Sequence, residues 1–497
     1  MPYPPNPPHP PHLHLHHLHH LHRFTETLGR NMASASTAVK PRGGAPTDIQ
    51  PWTMAALALS FLAVHVFTLI LSHTGEIGSA ADVLLYENWM NMAFDSGQWP
   101  VRDFDWVYPV VGLVPMVLTE LLHRATGASF LDMWWLVVTA VNVAVAAVMI
   151  RTFGWRRSMV PMAVWSVFIV FLGSTAMMRL DPFVPALVML ALIFATRHTT
   201  LAAALLTVGA WIKVAPGLVM MPLLAARPKR WRSVLLGGAA VCAGVVTVAV
   251  LCGVSLKSLL SFFGTQSGRG LQVEAVLATP AVLTRALSGQ SIATYDDTLY
   301  TYQIVGGDYG MARVADFLLP VLLAVIAWLT WRARSNPQTA LLVGSLAALS
   351  AGLVANRVGS PQFMSWMLAP VLIGLAKYGH QQFWRTMAAL LSVCALLTHL
   401  IFPIAYAQFL DGEPEMILVG LIRNLLVIAI LGAALTKLAR TPTRHPSRPH
   451  PTKDTSSNPA REASTPPQKP PPPQTRPPPP PPRANKPPPP KPPPHPH

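Results

Sequence analysis

Residues 75–106 form a segment rich in acids and aromatics, and they carry the side chains best suited to chemistry in this chain. Asp82 and Tyr86 are four positions apart, a spacing that puts both on one face if a helix begins here. A carboxylate at this position could act as a general base towards a hydroxyl group, or it could cap a surface helix. Such a cluster on one face of a membrane protein indicates proton, ion or group-transfer chemistry. Its acids are Glu76, Asp82, Glu87, Asp95, Asp103 and Asp105.

Charged residues also interrupt apolar sequence at two later points. Arg179 and Asp181 flank a leucine just before Pro182. They could pair with each other as a rim salt bridge, or Arg179 could face an anionic ligand. Lys213 stands in the run L-L-T-V-G-A-W-I-K-V-A-P-G, where an unpaired ammonium would cost a few kcal/mol at the bilayer centre. At a helix break it could reach water or a phosphate group, or its stem could snorkel towards the interface.

Two further segments combine arginine and amide side chains with turn residues. In F-F-G-T-Q-S-G-R-G-L-Q-V-E-A, glycines let the backbone approach a ligand closely, and arginine offers a planar donor fork suited to phosphate. In N-R-V-G-S-P-Q, at 356–362, an arginine and a glutamine lie on a tight turn. Either segment could instead be a plain turn or a helix start. The candidate binding residues of the two segments are Gln266, Arg269, Gln272, Glu274, Arg357 and Gln362.

The composition is that of an integral membrane protein. Hydrophobic residues make up 51% of the chain and charged residues only 12%, against about 25% charged in a typical soluble domain. Apolar runs long enough to cross a bilayer recur along the chain. The sequence therefore predicts an all-α, polytopic helix bundle. These runs are residues 52–71, 131–150, 233–252, 314–331, 340–355 and 417–438.

The distribution of positive charge predicts the topology. If the basic loops are cytoplasmic, the acidic segment lies outside, and residues 108–124 form a helix along the outer surface rather than a span. The stretch 199–226 must then cross twice, as two short helices bent near Lys213. The count is about twelve spans with both termini cytoplasmic, and every loop with unusual polar residues lies on the outer face.

The two ends of the chain differ in composition from the region between them. Residues 1–50 begin with a tract of proline, histidine and leucine, and residues 439–497 are dominated by proline with scattered basic residues. Neither can bury a core, so both are expected to be disordered cytoplasmic tails around a membrane domain at 51–438. The proline-rich tail could bind a protein partner or act as a solvated spacer. Basic sequence beside a membrane favours anionic lipid over nucleic acid.

Several classes of site lack a sequence signature. The chain has no P-loop, HExxH, GxSxG or paired CxxC motif, so ATP-driven, zinc-hydrolase and serine-hydrolase chemistry lack support. Basic groups outnumber acids in the later clusters, which suits an anionic substrate held without a metal or cofactor. A metal at Asp82, Asp103 and Asp105 is an open alternative.

An acid in the first external loop, followed by surface helices and many short spans, resembles the GT-C class of membrane glycosyltransferases. More specifically, the chain resembles glycosyltransferase family 87, which includes polyprenyl-phosphate-mannose-dependent α-1,2-mannosyltransferases. The motifs carrying this resemblance lie between residues 52 and 438: D-x-x-x-Y from Asp82, Y-P from Tyr108, R-L-D-P from Arg179, W-I-K-x-x-P around Lys213, R-G-L-Q-x-E from Arg269, S-P-Q-F-x-x-W from Ser360, and R-N from Arg423. The mannosyltransferase branch carries a histidine pair near the S-P turn, where this chain reads S-P-Q-F-M-S-W.

The resemblance implies an inverting hexosyltransferase of the plasma membrane with an extracytoplasmic active site. Asp82 would be its catalytic base, and the sugar, mannose in the family branch, would move from a polyprenyl-phosphate donor to a glycolipid or glycan acceptor. The leaving phosphate would be stabilised by Arg179, Lys213, Arg269 and Arg357. Other substrate-binding residues would be Tyr86, Tyr108, Asp181, Gln266, Gln272, Glu274 and Gln362. No metal or cofactor is implied.

A transporter or flippase of a lipid-linked or phosphorylated sugar is the alternative, since it could use the same cations to hold a phosphate. Such a protein is expected to have inverted repeats with paired broken helices, and the sequence has no convincing internal symmetry. The polar groups also collect on one face instead of forming a path across the bilayer. The sequence therefore favours transfer chemistry.

Overall fold

A computed structural model describes residues 50–74, 78–262, 264, 270–297, 301–306 and 309–442 of the chain. Residues 1–49 and 443–497 of the predicted tails lie outside the described residues, as do Gln266 and Arg269. Residues 439 and 440, assigned by the sequence to a disordered tail, continue the last helix. The helices are α1 (Pro51–Thr74), α2 (Ala81–Ser96), α3 (Leu113–Thr126), α4 (Phe130–Phe153), α5 (Trp155–Leu172), α6 (Phe183–Phe194), α7 (Thr199–Ile212), α8 (Met220–Ala226), α9 (Trp231–Leu251), α10 (Leu256–Leu259), α11 (Thr279–Leu287), α12 (Tyr309–Arg332), α13 (Pro337–Val354), α14 (Leu368–Tyr378), α15 (Gln382–His399), α16 (Tyr406–Leu410) and α17 (Pro414–Arg440).

Shorter elements join these helices. A two-stranded antiparallel ribbon pairs β1 (Ala293–Asp296) with β2 (Thr301–Ile304). Tight 3₁₀ turns precede several helices, including Gly173–Ala176 before α6, Ala215–Val219 before α8 and Pro361–Met367 before α14. The chain is therefore an all-α bundle with one small ribbon in the part that the structure describes, as the sequence predicts.

Within the described residues, eight helices are long and apolar enough to cross a membrane: α1, α4, α5, α9, α12, α13, α15 and α17, counted with their flanking turns. Each of the six apolar runs in the sequence falls on one of these. To reach the predicted total of about twelve spans, four shorter segments would also have to cross the membrane. These are α6, α7, residues 215–226 and residues 361–378. The chain breaks between α7 and α8 at Lys213, which is extended, so the predicted bend is confirmed.

Neither α2 nor α3 is among the apolar helices that could span. At 14 residues, α3 is about 21 Å long at 1.5 Å per residue, shorter than the roughly 30 Å hydrocarbon core. It also carries charge, because Arg124 pairs with buried Glu120 and with Asp95 of α2. These features fit the predicted surface-lying helices between the first two spans.

Helix α13 lies at the centre of the bundle, because its residues from Thr339 to Val354 are all buried. By contrast, α1 exposes a row of large apolar side chains, including Leu59, Leu62 and Phe67. An enclosed apolar helix and an apolar outer surface are what a lipid-facing bundle requires, since lipid is as apolar as the side chains that meet it.

The connections give the bundle two chemically different ends. At the first, which we call the site end, α1 finishes beside the start of α4, where His73 Nε2 lies 2.9 Å from Asp132 Oδ1. At the other, the basic end, α12 and α17 both finish, and Arg332 donates to the Ala439 carbonyl. All described acids fall in residues 78–132, at Asp181, or in residues 274–316 and 411–415. These segments all belong to the site end.

Candidate functional site

Asp82 lies in the first turn of α2. Tyr86, one turn later, is buried, so the two do share a face of a helix as the spacing predicts. The carboxylate of Asp82 does not cap the helix. Instead it forms an ion pair with the guanidinium of Arg179, and the exposed fractions of the two side chains are 29% and 6%. A half-buried carboxylate thus pairs with a nearly buried guanidinium group.

Arg179 is positioned by the turn that follows α5. That turn begins at Gly173, whose φ is +66°, and a Cβ there would lie 2.5 Å from the ring of His399 at the end of α15. Only glycine fits this position without strain. Arg179 Nη2 donates weakly to the Gly78 carbonyl at 3.4 Å, and the guanidinium faces the Phe402 ring at 5.9 Å. Its Nε is buried with no hydrogen-bond partner among the described residues, so Arg179 has a donor to offer.

Asp181 pairs with Lys213 and not with Arg179, its neighbour in sequence. Lys213 Nζ lies 3.0 Å from Asp181 Oδ2, and Trp366 Nε1 donates to Asp181 Oδ1 at 2.7 Å. The predicted rim salt bridge between Arg179 and Asp181 is therefore not formed, because Arg179 pairs with Asp82 and Asp181 pairs with Lys213. A buried charge is tolerated only when it is paired in this way.

Lys213 is enclosed by aromatic rings at the break between α7 and the Ala215–Val219 turn. Its Nζ lies 5.0 Å from the centroid of the Tyr108 ring and 5.3 Å from that of Phe363. Rings at these distances attract a cation through their π faces. Lys213 therefore does not snorkel away from the bundle but faces the same space as Tyr108.

An aromatic wall connects Asp82 to Lys213. The Tyr86 and Tyr108 rings meet edge to face at 6.4 Å between centroids, and Trp106 packs edge-on to Tyr108 at 5.4 Å. Burial raises the pKa of both tyrosine hydroxyls. Both phenols therefore remain protonated at neutral pH and can donate hydrogen bonds. Further rings of the wall belong to Trp89 and Trp134.

Glu274 is a second buried acid near Arg179. It is 2% exposed, and its carboxylate oxygens have no hydrogen-bond partner of good geometry among the described residues. Burial raises the pKa of this carboxyl to about 7, while the charges of Arg423 and Arg179 and the phenol of Tyr406 act in the opposite direction. Arg179 thus contacts Asp82 and also acts electrostatically on Glu274.

The segment around Glu274 is hydrogen-bonded to the turn at 356–360 and packs closely against it. Gly359 N donates to Gln272 Oε1 at 2.9 Å, and Gln272 N donates to the Arg357 carbonyl at 2.9 Å. A Cβ at Gly359 would lie 2.3 Å from Ala275 N, so no other residue permits this approach. The predicted binding segments around Glu274 and Arg357 are therefore in contact.

Some predicted site residues make contacts that the sequence did not suggest. Arg357 Nε donates to Asp316 Oδ1 at 3.0 Å, so its guanidinium is already paired with an acid at the start of α12. Gln362 is buried within the Pro361–Met367 turn. Asp103 is held by Arg102 and by the Trp99 amide, while Asp82 is paired with Arg179. Among the described residues, no three metal-binding side chains gather into a cluster.

The structure also brings to this region residues to which the sequence assigns no role. Arg423 is fully enclosed in α17 and its Nη2 donates to the Glu274 carbonyl at 2.6 Å, while Asn424 Nδ2 donates to Thr279 Oγ1 at 2.8 Å. Trp366 binds Asp181, and Tyr406 acts on Glu274. The sequence does contain a signal for Arg423. An arginine within an apolar helix is rarely tolerated without a partner.

Glu274 should make stability depend on pH. Its carboxyl has a pKa of about 7 in the folded chain against 4.5 for the free group, so ionisation occurs more readily in the unfolded chain. The contribution of Glu274 to folding stability is therefore most favourable below pH 4.5 and is lost as the pH rises towards 7, by up to about 3 kcal/mol. In detergent, Glu274→Gln should remove this part of the fall in melting temperature between pH 5 and pH 8. An exposed control, Glu413→Gln, should retain it, and equal pH profiles for all three proteins would contradict the assignment.

The comparison with protein families gives one match. The model of glycosyltransferase family 87 covers residues 106–355, about half of the chain. No curated protein and no solved structure matches the chain. The matched residues include Tyr108, Arg179, Asp181, Lys213 and Glu274, whereas Asp82, Arg357 and Gln362 lie outside them. The bundle of apolar helices fits the GT-C class of membrane glycosyltransferases, and the chain belongs to glycosyltransferase family 87.

Proposed function

We propose that the protein is an inverting glycosyltransferase that takes its sugar, mannose, from a polyprenyl-phosphate donor. The acceptor is the hydroxyl of a glycolipid or glycan. The observation that carries the proposal is the ion pair of Asp82 with nearly buried Arg179, beside two protonated tyrosines, in a chain of this family. That arrangement puts one candidate base and one candidate anion-binding group within contact of each other.

In the proposed step, the acceptor oxygen attacks the anomeric carbon while its proton passes to the Asp82 carboxylate. The bond between the anomeric carbon and the phosphate oxygen breaks, and the bonding electrons leave with the polyprenyl phosphate. A single displacement of this kind inverts the configuration at the anomeric carbon. It needs one base on the acceptor side and positive charge at the leaving group.

The leaving phosphate has several candidate partners. Arg179 supports this role because its Nε is buried and unpartnered in the described part of the chain. Lys213 has two donors beyond the one directed at Asp181. Arg269 precedes Glu274 closely in sequence, and the Arg357 carbonyl accepts a hydrogen bond from Gln272 N of the same segment. Several cations around one phosphate supply charge-assisted hydrogen bonds without a metal ion.

The aromatic wall and the buried polar groups are assigned to the sugars. Tyr86 and Tyr108 can donate hydrogen bonds, while Trp89 and Trp106 offer flat apolar surface of the kind that lines small-molecule sites. Asp181, Gln266, Gln272, Glu274 and Gln362 are proposed as further binding or positioning residues. With the basic end cytoplasmic by the positive-inside rule, this site lies on the extracytoplasmic face of the plasma membrane. Both tails then lie in the cytoplasm, flanking a catalytic domain at 51–438.

A transfer assay in sealed vesicles tests the proposal. The purified full chain is reconstituted with polyprenyl-phosphate mannose labelled in the sugar, and a glycolipid extract is supplied as acceptor. We expect label to appear covalently on the acceptor and unlabelled polyprenyl phosphate to accumulate. Movement of intact labelled donor to the opposite leaflet, with no labelled acceptor, would instead indicate a flippase. Transfer from a nucleotide sugar and not from the lipid-linked donor would contradict the proposed donor.

A further inference from the structure

A cavity of about 650 Å³ opens at the basic end, between α7 and α9. Arg197 and His198 lie on one side of its mouth, and Arg230 lies on the other. Further along the two helices it is lined by small apolar residues such as Ala204 and exposed Ala240. The cavity is thus an open groove with cationic residues at its mouth and apolar residues along its length, and its volume lies within the range of small-molecule sites.

Close packing of the two helices fixes one wall of this cavity. A Cβ at Gly237 of α9 would lie 2.2 Å from the Thr200 carbonyl and 3.1 Å from Ala203 Cβ. The backbones of α7 and α9 therefore meet at Gly237, which itself lines the cavity. Between Arg230 and this point α9 presents exposed Leu235 and Leu236 on its surface, which is suitable for contact with the acyl chains of a lipid.

The charge at the mouth has no counterion in the described part of the chain. No described acid lies at the basic end, since all of them belong to site-end segments. The side chains of Arg197 and Arg230 form no ion pair with any described residue. Half-buried Arg227 adds to the excess, and burial together with the Arg230 charge lowers its pKa. An uncompensated cationic cluster of this kind favours binding of an anion.

We propose that this cavity binds the headgroup phosphate of an anionic phospholipid. Arg197 and Arg230 would hold the phosphate from two sides, and the acyl chains would follow the apolar surface of α9. Basic pockets between helices are suited to such headgroups. The site is separate from the transfer site, because Arg197 and Lys213 lie at opposite ends of the 14-residue α7, about 21 Å apart along its axis. The proposal therefore does not depend on the proposed function.

Lipid binding to the purified full chain tests this assignment. Delipidated protein in detergent is titrated with phosphatidylglycerol or with phosphatidylcholine, and bound lipid is counted by native mass spectrometry. We expect one molecule of phosphatidylglycerol to bind in preference to phosphatidylcholine. The double variant Arg197→Gln/Arg230→Gln should lower this affinity roughly tenfold or more, since it removes two charge-assisted contacts.

Matched controls separate a defined site from general surface charge. Arg156 and Arg157 are exposed at the same end but do not line the cavity, so Arg156→Gln/Arg157→Gln should leave the affinity within about twofold. Equal losses in the two double variants, or no loss in the cavity variant, would overturn the proposal. So would displacement of the lipid by an equal concentration of glycerol phosphate, because the site would then recognise free phosphate. The melting temperature of each variant without lipid verifies that it is folded.

Discussion

Replacing Asp82 by asparagine should lower the rate of sugar transfer by about 10² to 10⁴-fold, the contribution typical of a positioned general base. The amide keeps the size of the carboxylate and can still accept a hydrogen bond from Arg179, but it cannot take the acceptor proton. Because Asp82 is only half-buried and the amide still accepts from Arg179, the variant should fold, with a lower melting temperature because nearly buried Arg179 loses its counterion. The measurement is the initial rate of transfer at equal amounts of folded protein, with the melting temperature recorded in parallel.

Asp95→Asn is the matched control for this variant. Asp95 lies in the same helix and also pairs with an arginine, since Arg124 Nη2 is 2.7 Å from its Oδ1. That pair is exposed, and exposed pairs contribute little to stability. The control should therefore transfer sugar at close to the normal rate. Normal transfer by folded Asp82→Asn would remove Asp82 from the catalytic role.

The second large effect is expected at the pair of Lys213 and Asp181. Lys213→Met alone leaves Asp181, 1% exposed, with an uncompensated charge, and breaking a buried pair this way costs about 3 to 5 kcal/mol. The melting temperature in detergent should fall accordingly. The double variant Asp181→Leu/Lys213→Met removes both charges, so much of that stability should return.

Transfer activity separates the structural role of this pair from its chemical role. If Lys213 binds the leaving phosphate, the double variant should regain stability while its transfer rate stays low. Recovery of both together would mean that Lys213 serves only to neutralise Asp181. In that case the phosphate would have to be held by the arginines alone.

The helical architecture follows from local features of the sequence. Apolar runs of sufficient length locate α1, α4, α9, α12, α13 and α17, since length and hydrophobicity define a span. Alternation of basic and acidic loops separates the basic end from the site end. The break at Lys213 is also readable, because a lysine followed by valine, alanine, proline and glycine cannot continue an apolar helix without cost.

Local sequence does not predict which side chains pair with each other within the site. Arg179 and Asp181 are neighbours in sequence, yet each binds a residue from a different part of the chain. Arg357, which follows α13, pairs with Asp316 of α12. The contact of Arg423 with Glu274 spans 149 positions. Such contacts depend on how helices pack and not on local spacing, so one sequence can nominate charged residues but cannot assign their partners.

Glu274 illustrates what the structure adds to a sequence motif. Its neighbouring glycines predicted only a close backbone approach to a ligand. In the fold, the close approach at 274–275 is made by Gly359 of the opposite turn, and the carboxyl is buried beside Arg179. Glu274, which the sequence predicts to be a binding group on a loop, is thus buried among the polar groups between Asp82 and α17.

The anomeric configuration of the product tests the central claim most directly. Wild-type protein is supplied with donor of defined configuration, and the glycosidic bond formed on the acceptor is determined by NMR. A single displacement with Asp82 as base predicts that the product has the configuration opposite to that of the donor. A product that retains the configuration of the donor would require either a double displacement or a substitution on the same face as the leaving group, and would contradict this account of the site.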